Sequence, residues 1–590
     1  MSERTIWRLW QNGVAAGHPE PAYLTETADG WREVSWHEAA ERVEQYANGL
    51  LARGISKGDA FALLARTTLE WALFDFALAH IGAVGAAIYA NSSPRDVHYV
   101  LDHSESVGVL CEDEEQRAKV EVGRSDLPRL REVLSYDDLP ALAAEGAAYG
   151  ERNPDALPAR LAEIGEDDIF TFIYTSGTTG PPKACMIRHR NYAEMVRIGQ
   201  SVRLTEPGDR LLLFLPLAHN YGRLLHLLGP YVGFTIAFVP EPTTVADALQ
   251  TVQPTVLPSV PRVYEKVHTA LVARFAEATG VKRRLIDWAL VVGRRASALE
   301  QAGKPVGGLL AVQRRLAQRL VYRKVHERFG GRLRGAFSGG APLAPEIIEF
   351  FDALGIRILE GYGLTECTTG ATANSAERFR FGTVGCALPD VELRLAADGE
   401  LLIRSPTIFA GYFKDPEATA AVLDDDGWLR SGDIAEIDDD GFVTITDRKK
   451  DIIVTAGGKN IAPQNLENDL KTSRYVSQAL VVGDRRPYPA ALITLDPAEL
   501  ASWAARHGLD GDPEALARDE RVNELVQEVV DDVNRDRSRF EQLKRFTVLP
   551  HDFTIEGGEL TPTLKVRRRV VLERYADEVE QLYDGERPED

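Results

Sequence analysis

The sequence predicts an α/β protein in two unequal parts: a large N-terminal part of layered sheets and helices, and a small α+β part at the C-terminus. Three observations carry this. Short apolar runs such as Phe61-Ala-Leu-Leu-Ala65 and Val107-Gly-Val-Leu-Cys111 alternate with helical patterns, and such alternation layers helices around a largely parallel sheet. Glycine-rich segments follow several apolar runs, as loops at the carboxyl edge of such a sheet do. Charge is concentrated, with little apolar content, at Asp447-Arg-Lys-Lys-Asp451. We place the boundary there, giving parts 1–447 and 448–590.

Segment 36–51 spaces its apolar residues along one helical face, and Gly54 and Gly58 punctuate its end. Segment 71–90 is the strongest apolar stretch, interrupted by Asp75 and His80. A membrane-spanning helix needs about 20 apolar residues with few charges, so the expectation is a buried helix feeding a strand. The Ala-, Pro- and acid-rich stretch 139–168 reads as a surface connection. A strand over 169–174 then leads into Tyr174-Thr-Ser-Gly-Thr-Thr-Gly-Pro-Pro-Lys183, with a helix beginning near Asn191. Such a loop can aim backbone N–H groups and hydroxyls at phosphate oxygens, its lysine neutralising charge. The Walker A spacing is absent. A solvated loop has the same composition, so the loop alone leaves both readings open.

Segment 211–215 reads as a buried strand ending at Pro216, with His219 just beyond. A lone histidine is more often structural, but open α/β sheets bind ligands at that edge. Region 271–329 is helical and changes character. Lys282, Arg283, Arg284, Arg294, Arg295, Arg314, Arg315, Arg319, Arg323, Lys324 and Arg328 face only Glu277, Asp287, Glu300 and Glu327. Two readings stand: a solvated helical face, or a surface that docks on anionic lipid. Two glycine-rich strand-loop units follow, at 336–342 and 358–366. Gly427-Trp-Leu-Arg-Ser-Gly-Asp433 places an acid after a tight turn, where it can accept hydrogen bonds from a vicinal diol. A strand at 441–446 precedes the boundary. Beyond it come strands at 479–482 and 490–495, a charged helix over about 519–543, and Leu560-Thr-Pro-Thr-Leu-Lys565.

The chain has 590 residues, 44% apolar and 27% charged, as in globular proteins. A net charge of −21 argues against nucleic acid as the main partner. The four cysteines, Cys111, Cys185, Cys367 and Cys386, lack metal-ligand spacing, which points to a reduced cytoplasmic setting. The N-terminus shows no signal-peptide pattern.

Five motifs in order, spanning 174 to 565, resemble those of the adenylate-forming superfamily of acyl-CoA synthetases, adenylation domains and firefly-type luciferases. Ser259-Val-Pro-Arg-Val-Tyr-Glu-Lys266, with the basic helical region behind it, resembles the long-chain fatty acid CoA ligases. Leu560-Thr-Pro-Thr-Leu-Lys565 points the same way. The resemblance implies a large domain of layered sheets with a β-barrel-like subdomain, and a small mobile C-terminal domain. It also implies two half-reactions. A fatty acid carboxylate attacks the α-phosphate of ATP, giving acyl-adenylate and pyrophosphate; coenzyme A thiol then takes the acyl group and releases AMP.

Roles follow from the resemblance residue by residue. Thr175, Ser176, Gly177, Thr178, Thr179, Gly180 and Lys183 would grip the β- and γ-phosphates. Glu366 and Thr175 would hold Mg²⁺. Gly339, Gly340, Ala341, Pro342 and the run Glu360, Gly361, Tyr362, Gly363 and Thr365 would surround the nucleotide, Tyr362 stacking on adenine. Asp433 and Arg448 would hold the ribose. Lys565 matches the adenylation lysine, and Lys450 the hinge. Gly457 and Gly458, in Ala456-Gly-Gly458, match the coenzyme A channel. His219, with Asn220 and Tyr221, would border the acyl group; Arg223 and the segment near Tyr264 are further candidates for the acyl tunnel. Ala184 departs from the glycine usual after the loop lysine, which puts the loop's flexibility in question. Two alternatives accompany the leading reading: a fatty acyl-AMP ligase loading a carrier protein, and a non-catalytic lipid-binding homologue. The basic region adds peripheral contact with the inner face of an anionic membrane.

Overall fold

The computed structural model describes residues 4–175, 181–457, 459–509, 511–535, 537–561 and 564–584. The first apolar runs build a six-stranded sheet in the spatial order Glu132–Ser135, Gly108–Cys111, Ala60–Leu64, Val84–Ile88, Ile169–Thr175, Lys183–Arg188. The first five strands are parallel and the last is antiparallel. Ala60–Leu64 and Val84–Ile88 are buried at every position, because helices cover both faces of a parallel sheet. The strand Lys183–Arg188 was not expected. It pairs Thr175 with Lys183 and Tyr174 with Ala184, so the phosphate-loop motif joins two hydrogen-bonded neighbours. Ala184 is a buried strand residue whose carbonyl accepts from the Phe413 N–H at 2.9 Å. Its methyl group packs into the core there.

A nine-stranded sheet lies alongside. Its parallel centre runs Ile358–Tyr362, Gly335–Ser338, Val256–Ser259, Arg210–Leu213, Thr235–Phe238, Tyr23–Thr27. One apolar core contains residues of both sheets and of the helices Leu69–Ile81 and Asn220–Val232. Leu69–Ile81 is buried at every position but Glu70, and its two buried polar residues are satisfied internally. His80 Nδ1 lies 2.6 Å from the Phe76 carbonyl, and Asp75 pairs with Arg223. Among the described residues no helix is long and apolar enough to cross a membrane.

Two expectations are corrected and a third is refined. Stretch 139–168 is not a simple surface connection but holds the helices Leu139–Arg152 and Ala156–Glu163. The first packs on Trp36–Ala52 so closely that a Cβ on Gly146 would lie 1.8 Å from the Gln45 carbonyl. The buried face of this helix is Leu139, Leu142 and Gly146, a sparse pattern that gives little apolar signal in sequence. Asp433 stands six residues beyond the tight turn that the Gly427 N–H closes on the Asp424 carbonyl at 3.1 Å. It lies within the strand Leu429–Ile437, where Gly432, at φ +72°, forms a bulge. The charged helix spans Glu520–Asn534 only; the Asn534 side chain then bonds both backbone groups of Leu543 and holds the following loop.

The barrel-like part is the antiparallel meander Glu392–Leu395, Glu400–Arg404, Leu429–Ile437, Val443–Arg448. Beyond it, Val476–Val482, Ala490–Leu495 and Arg545–Leu549 form a separate three-stranded sheet. Its two apolar cores contain only residues from 453 onward.

In the basic region, Pro261–Ala276, Gly280–Gln301 and Gly308–Ala317 are helices. Arg283 pairs with Asp287, Arg314 with Glu300 and Arg323 with Glu327. Lys282, Arg284, Arg294, Arg295, Arg315, Arg319, Lys324 and Arg328 are exposed.

Candidate active site

A cavity of about 1040 Å³ opens where the parallel strands of both sheets end, and the small C-terminal unit closes part of its rim. Carboxyl ends of parallel strands are where backbone N–H groups and loops face outward together. Thr175, Lys183, Gly339, Gly340, Gly361, Tyr362, Gly363, Thr365, Glu366, Asp433, Arg448, Lys450 and Lys565 line its polar side. His219, Asn220 and Tyr221 line the middle. Ser176, Gly177, Thr178, Thr179, Gly180 and Gly458 lie outside the described residues.

On the polar side the groups are pre-positioned by neighbours. Tyr412 donates its hydroxyl to Glu366 Oε1 at 2.6 Å, so Oε2 is left for another partner. Lys183 Nζ lies 3.7 Å from Asp415 and 5.0 Å over the Tyr412 ring. Tyr362 donates to Asp433 Oδ2 at 2.5 Å, and Arg448 lies 3.6 Å from Oδ1. Burial pushes the Asp433 carboxyl up, while Arg448 pulls it down. The glycines of the Glu360-Gly-Tyr-Gly run are demanded by packing. A Cβ on Gly363 would lie 1.9 Å from the Thr369 carbonyl.

Lys565 sits on the loop before the short helix Arg568–Arg574, and its side chain is exposed within the cavity. Crowding by protein and repulsion from Arg448 push its pKa down to about 8, against the pull of Asp433. His219 caps the helix Asn220–Val232, its Nδ1 accepting from the Tyr221 N–H at 3.2 Å. That bond leaves the ring proton on Nε2. Burial, then Lys565, pushes the imidazole pKa down to about 3, so it is neutral.

Several expected residues sit elsewhere. Ala341 and Pro342 are exposed and off the cavity. Glu360 is buried, accepts from the Leu343 N–H at 3.2 Å, and has its pKa raised by burial to about 8; it holds the loop that carries Gly339 and Gly340. Gly457 is exposed and off the cavity. Arg223 and Tyr264 do not line it either. Arg223 is fully buried against Asp75, and Tyr264 donates to the Leu257 carbonyl at 2.8 Å.

The apolar side was missed. Met195, Gly199 and Val202 from the helix His189–Gln200 and its end face Leu224, Leu225 and Leu228 from Asn220–Val232. Leucines at these spacings share one helical face, which was the available signal. Tyr412 was also missed; it is 46 positions from Glu366, and spacing offered no hint.

The arrangement suits a polyanion gripped at one end, an apolar chain at the other, and a mobile ammonium between. Glu366 and Thr175 line the cavity with two oxygens that would suit a hard cation. Mg²⁺ is commonly held by one or two protein carboxylates, with water and phosphates completing its shell, so the pair fits it. No group of three or more His, Cys, Asp or Glu side chains among the described residues forms a metal cluster.

Comparison with known proteins agrees. Residues 12–413 match the AMP-binding enzyme family and residues 450–587 the AMP-binding enzyme C-terminal domain. The long-chain-fatty-acid–CoA ligase FadD15 of Mycobacterium bovis is 38% identical, over 96% of this chain and 95% of its own. The peroxisomal long chain acyl-CoA synthetase 6 of Arabidopsis thaliana is 31% identical, over 94% and 82%. The crystal structure of the anthranilate CoA ligase AuaEII with anthranoyl-AMP shares the fold, with a TM-score of 0.75 at 19% identity over 99% of each chain.

The environment of Lys565 can be tested directly. Competitive acetylation across a pH series, read by mass spectrometry, should give this amine a midpoint near 8, below the ordinary 10.5. Arg448→Ala should raise that midpoint and Asp433→Asn lower it. An unshifted midpoint would contradict the crowded setting.

Proposed function

Since the chain belongs to the AMP-binding enzyme family, we propose that it activates a long-chain fatty acid with ATP to acyl-adenylate and pyrophosphate, then transfers the acyl group to coenzyme A with release of AMP. The carrying observation is one continuous cavity, polar at the strand ends and apolar between two helices, with Lys565 and His219 among its lining. Its volume stands at the upper end of the ~300–1,000 Å³ usual for ligand pockets. The relatives named above are CoA ligases of long chains, which favours coenzyme A over a carrier protein as acceptor.

The chemistry brings two anions together. A carboxylate oxygen attacks the α-phosphorus and the bond to the β-phosphate bridge breaks. Lys183 and the loop before it grip the departing phosphates. Thr175 and the remaining oxygen of Glu366 would hold Mg²⁺, whose charge neutralises phosphate oxygens. Lys565 bridges carboxylate and α-phosphate oxygens, supplying positive charge where negative charge gathers. Asp433 and Arg448 take the ribose, and Tyr362, fixed by its bond to Asp433, flanks the base. In the second step the thiol sulfur, having lost its proton, attacks the acyl carbonyl and the AMP oxygen leaves with the bonding pair. His219, neutral and donating from Nε2, borders that carbonyl. We place the hinge at Lys450, at the start of part 448–590. The separate cores on either side support this. Gly457 and Gly458 would meet the pantetheine arm after rotation, where glycine permits close passage. Each methylene buried in the apolar arm contributes about 0.8 kcal/mol, part of it offset by ordering the tail.

The basic region is the membrane-facing surface. Leu309, Val312, Leu316 and Leu320 are 73%, 52%, 48% and 45% exposed, and their spacing makes one helical stripe. Arg315 and Arg319 lie among them and are exposed. A stripe of this kind, basic on a chain of charge −21, fits an anionic bilayer, the phase in which a long-chain fatty acid is found.

A panel of fatty acids should give ATP- and coenzyme A-dependent thioester with a long-chain optimum, and less product with an acyl carrier protein. Lys565→Ala should abolish acyl-adenylate formation while thioester formation from supplied acyl-adenylate survives; equal loss of both steps would reject the role. Gly199 lines the apolar arm, and a Cβ there would stand 4.0 Å from the nearest side-chain atoms, those of Leu228 and Met195. Gly199→Phe should therefore move the optimum toward shorter chains, and an unchanged profile would place the tail elsewhere. The protein should sediment with phosphatidylglycerol vesicles, less so in high salt, and not with phosphatidylcholine. Arg315→Glu with Arg319→Glu, or Leu316→Ser with Leu320→Ser, should abolish sedimentation; if both doubles still sediment, another surface is responsible.

A further inference from the structure

The motif Ser259-Val-Pro-Arg-Val-Tyr-Glu-Lys266 lies outside the cavity lining. The structure gives it other work. Pro261 opens the helix Pro261–Ala276, suited to the first turn by its fixed φ. Tyr264 ties that turn to the nine-stranded sheet through the carbonyls of Leu257 and Phe337, at 2.8 and 3.3 Å. Arg262 and Glu265 reach across to the small C-terminal unit. Arg262 donates to the Ser477 carbonyl at 3.0 Å and to Ser477 Oγ at 2.8 Å. Glu265 lies 3.6 Å from both Arg262 and Lys471.

The receiving side is built for this contact. Ser477 falls at a register shift in the strand Val476–Val482, and a bulge of this kind frees a residue from the ladder and re-aims its groups. The Gln478 N–H is satisfied by Thr494 Oγ1 at 3.0 Å instead. Ser477 Oγ donates to Asp552 at 2.5 Å, so its lone pairs face Arg262. Ser477 is 1% exposed, which makes the contact a dry one. Strand Val476–Val482 and the segment leading to Lys565 share an apolar core through Leu480, Val482 and Leu560. What fixes Ser477 therefore fixes Lys565.

We propose that Arg262 and Glu265 are positioning residues: with Ser477 and Lys471 they hold the small unit in the orientation that delivers Lys565 to the cavity, and they release it for the second half-reaction. This rests on the two-step reading above. The guanidinium fork, which engages a carbonyl and a hydroxyl at once, gives the contact direction as well as attraction.

The two half-reactions, measured separately, test it. Arg262→Ala and Ser477→Ala should each slow acyl-adenylate formation by roughly ten- to a hundredfold, the cost of a misplaced catalytic group. Thioester formation from supplied acyl-adenylate should be unchanged or faster. The double variant should be no slower than the slower single, and Arg262→Lys should recover part of the rate. A parallel fall in both half-reactions, or no fall in either, would overturn the proposal. A wild-type protein forming no acyl-adenylate from any fatty acid would reject the two-step reading itself, and this proposal with it.

Discussion

A fully buried ion pair fixes the frame on which the site is built. Arg223, on the helix Asn220–Val232, forks onto Asp75, on the helix Leu69–Ile81, and both side chains are wholly excluded from solvent. The same guanidinium donates to Thr171 Oγ1 at 2.5 Å, and that hydroxyl donates to the Gly85 carbonyl. The rings of Trp71 and Phe170 lie 5.1 and 4.6 Å from its centre. Burying two charges is costly, and pairing returns that cost only when every donor and acceptor is met. Here the pairing crosses from one helix to another and onto the strand that leads into the phosphate loop. It thereby relates three things: the strand Ile169–Thr175, the helix capped by His219, and the leucines of the apolar arm. Gly85 completes the arrangement, since a Cβ there would stand 3.0 Å from the guanidinium.

With that frame fixed, the cavity can be polar at one end and apolar at the other without exposing either to the wrong partner. Arg223 and the leucines use different faces of one helix: Leu224, Leu225 and Leu228 face the cavity while Arg223 faces the core. On the phosphate side the anchoring hydroxyls of Tyr412 and Tyr362 bond the carboxylates of Glu366 and Asp433. Each carboxylate is thus oriented before a ligand arrives, which reduces the reorganisation needed when charge develops.

The parts legible in the sequence were those whose signal is local. Runs such as Ala60–Leu64 read as buried strands because both faces are covered. The motif residues Lys183, Glu366, Asp433, Arg448 and Lys565 share the cavity, as the family resemblance of their motifs implies. The illegible parts depend on contacts between distant segments. Helix Leu139–Arg152 buries Leu139, Leu142 and Gly146, too few apolar side chains to stand out. Strand Lys183–Arg188 is shaped by pairing with Ile169–Thr175 and looks like the continuation of a loop. Tyr412 reaches Glu366 only because the chain folds back. Arg223 is a tunnel candidate by sequence, yet it stands one position, about 100° of helix rotation, from Leu224, and it enters the core while Leu224 lines the cavity.

The meeting of the two units obeys a different rule from the cores. A unit that turns between half-reactions, as proposed above, could not bury a large apolar surface against its neighbour, because separation would then be too costly. The small unit accordingly keeps its own cores and meets the large one through polar contacts: Arg262 with Ser477, Glu265 with Lys471, and the Gln464 N–H with Asp447 at 3.1 Å. A hydrogen bond that exchanges with water contributes only about 0.5–1.5 kcal/mol net. A few such bonds amount to the ~5.5 kcal/mol or less that separates a 1:99 from a 99:1 population. An interface made of a few polar contacts is weak enough to be exchanged for water, as the proposed rotation between half-reactions requires.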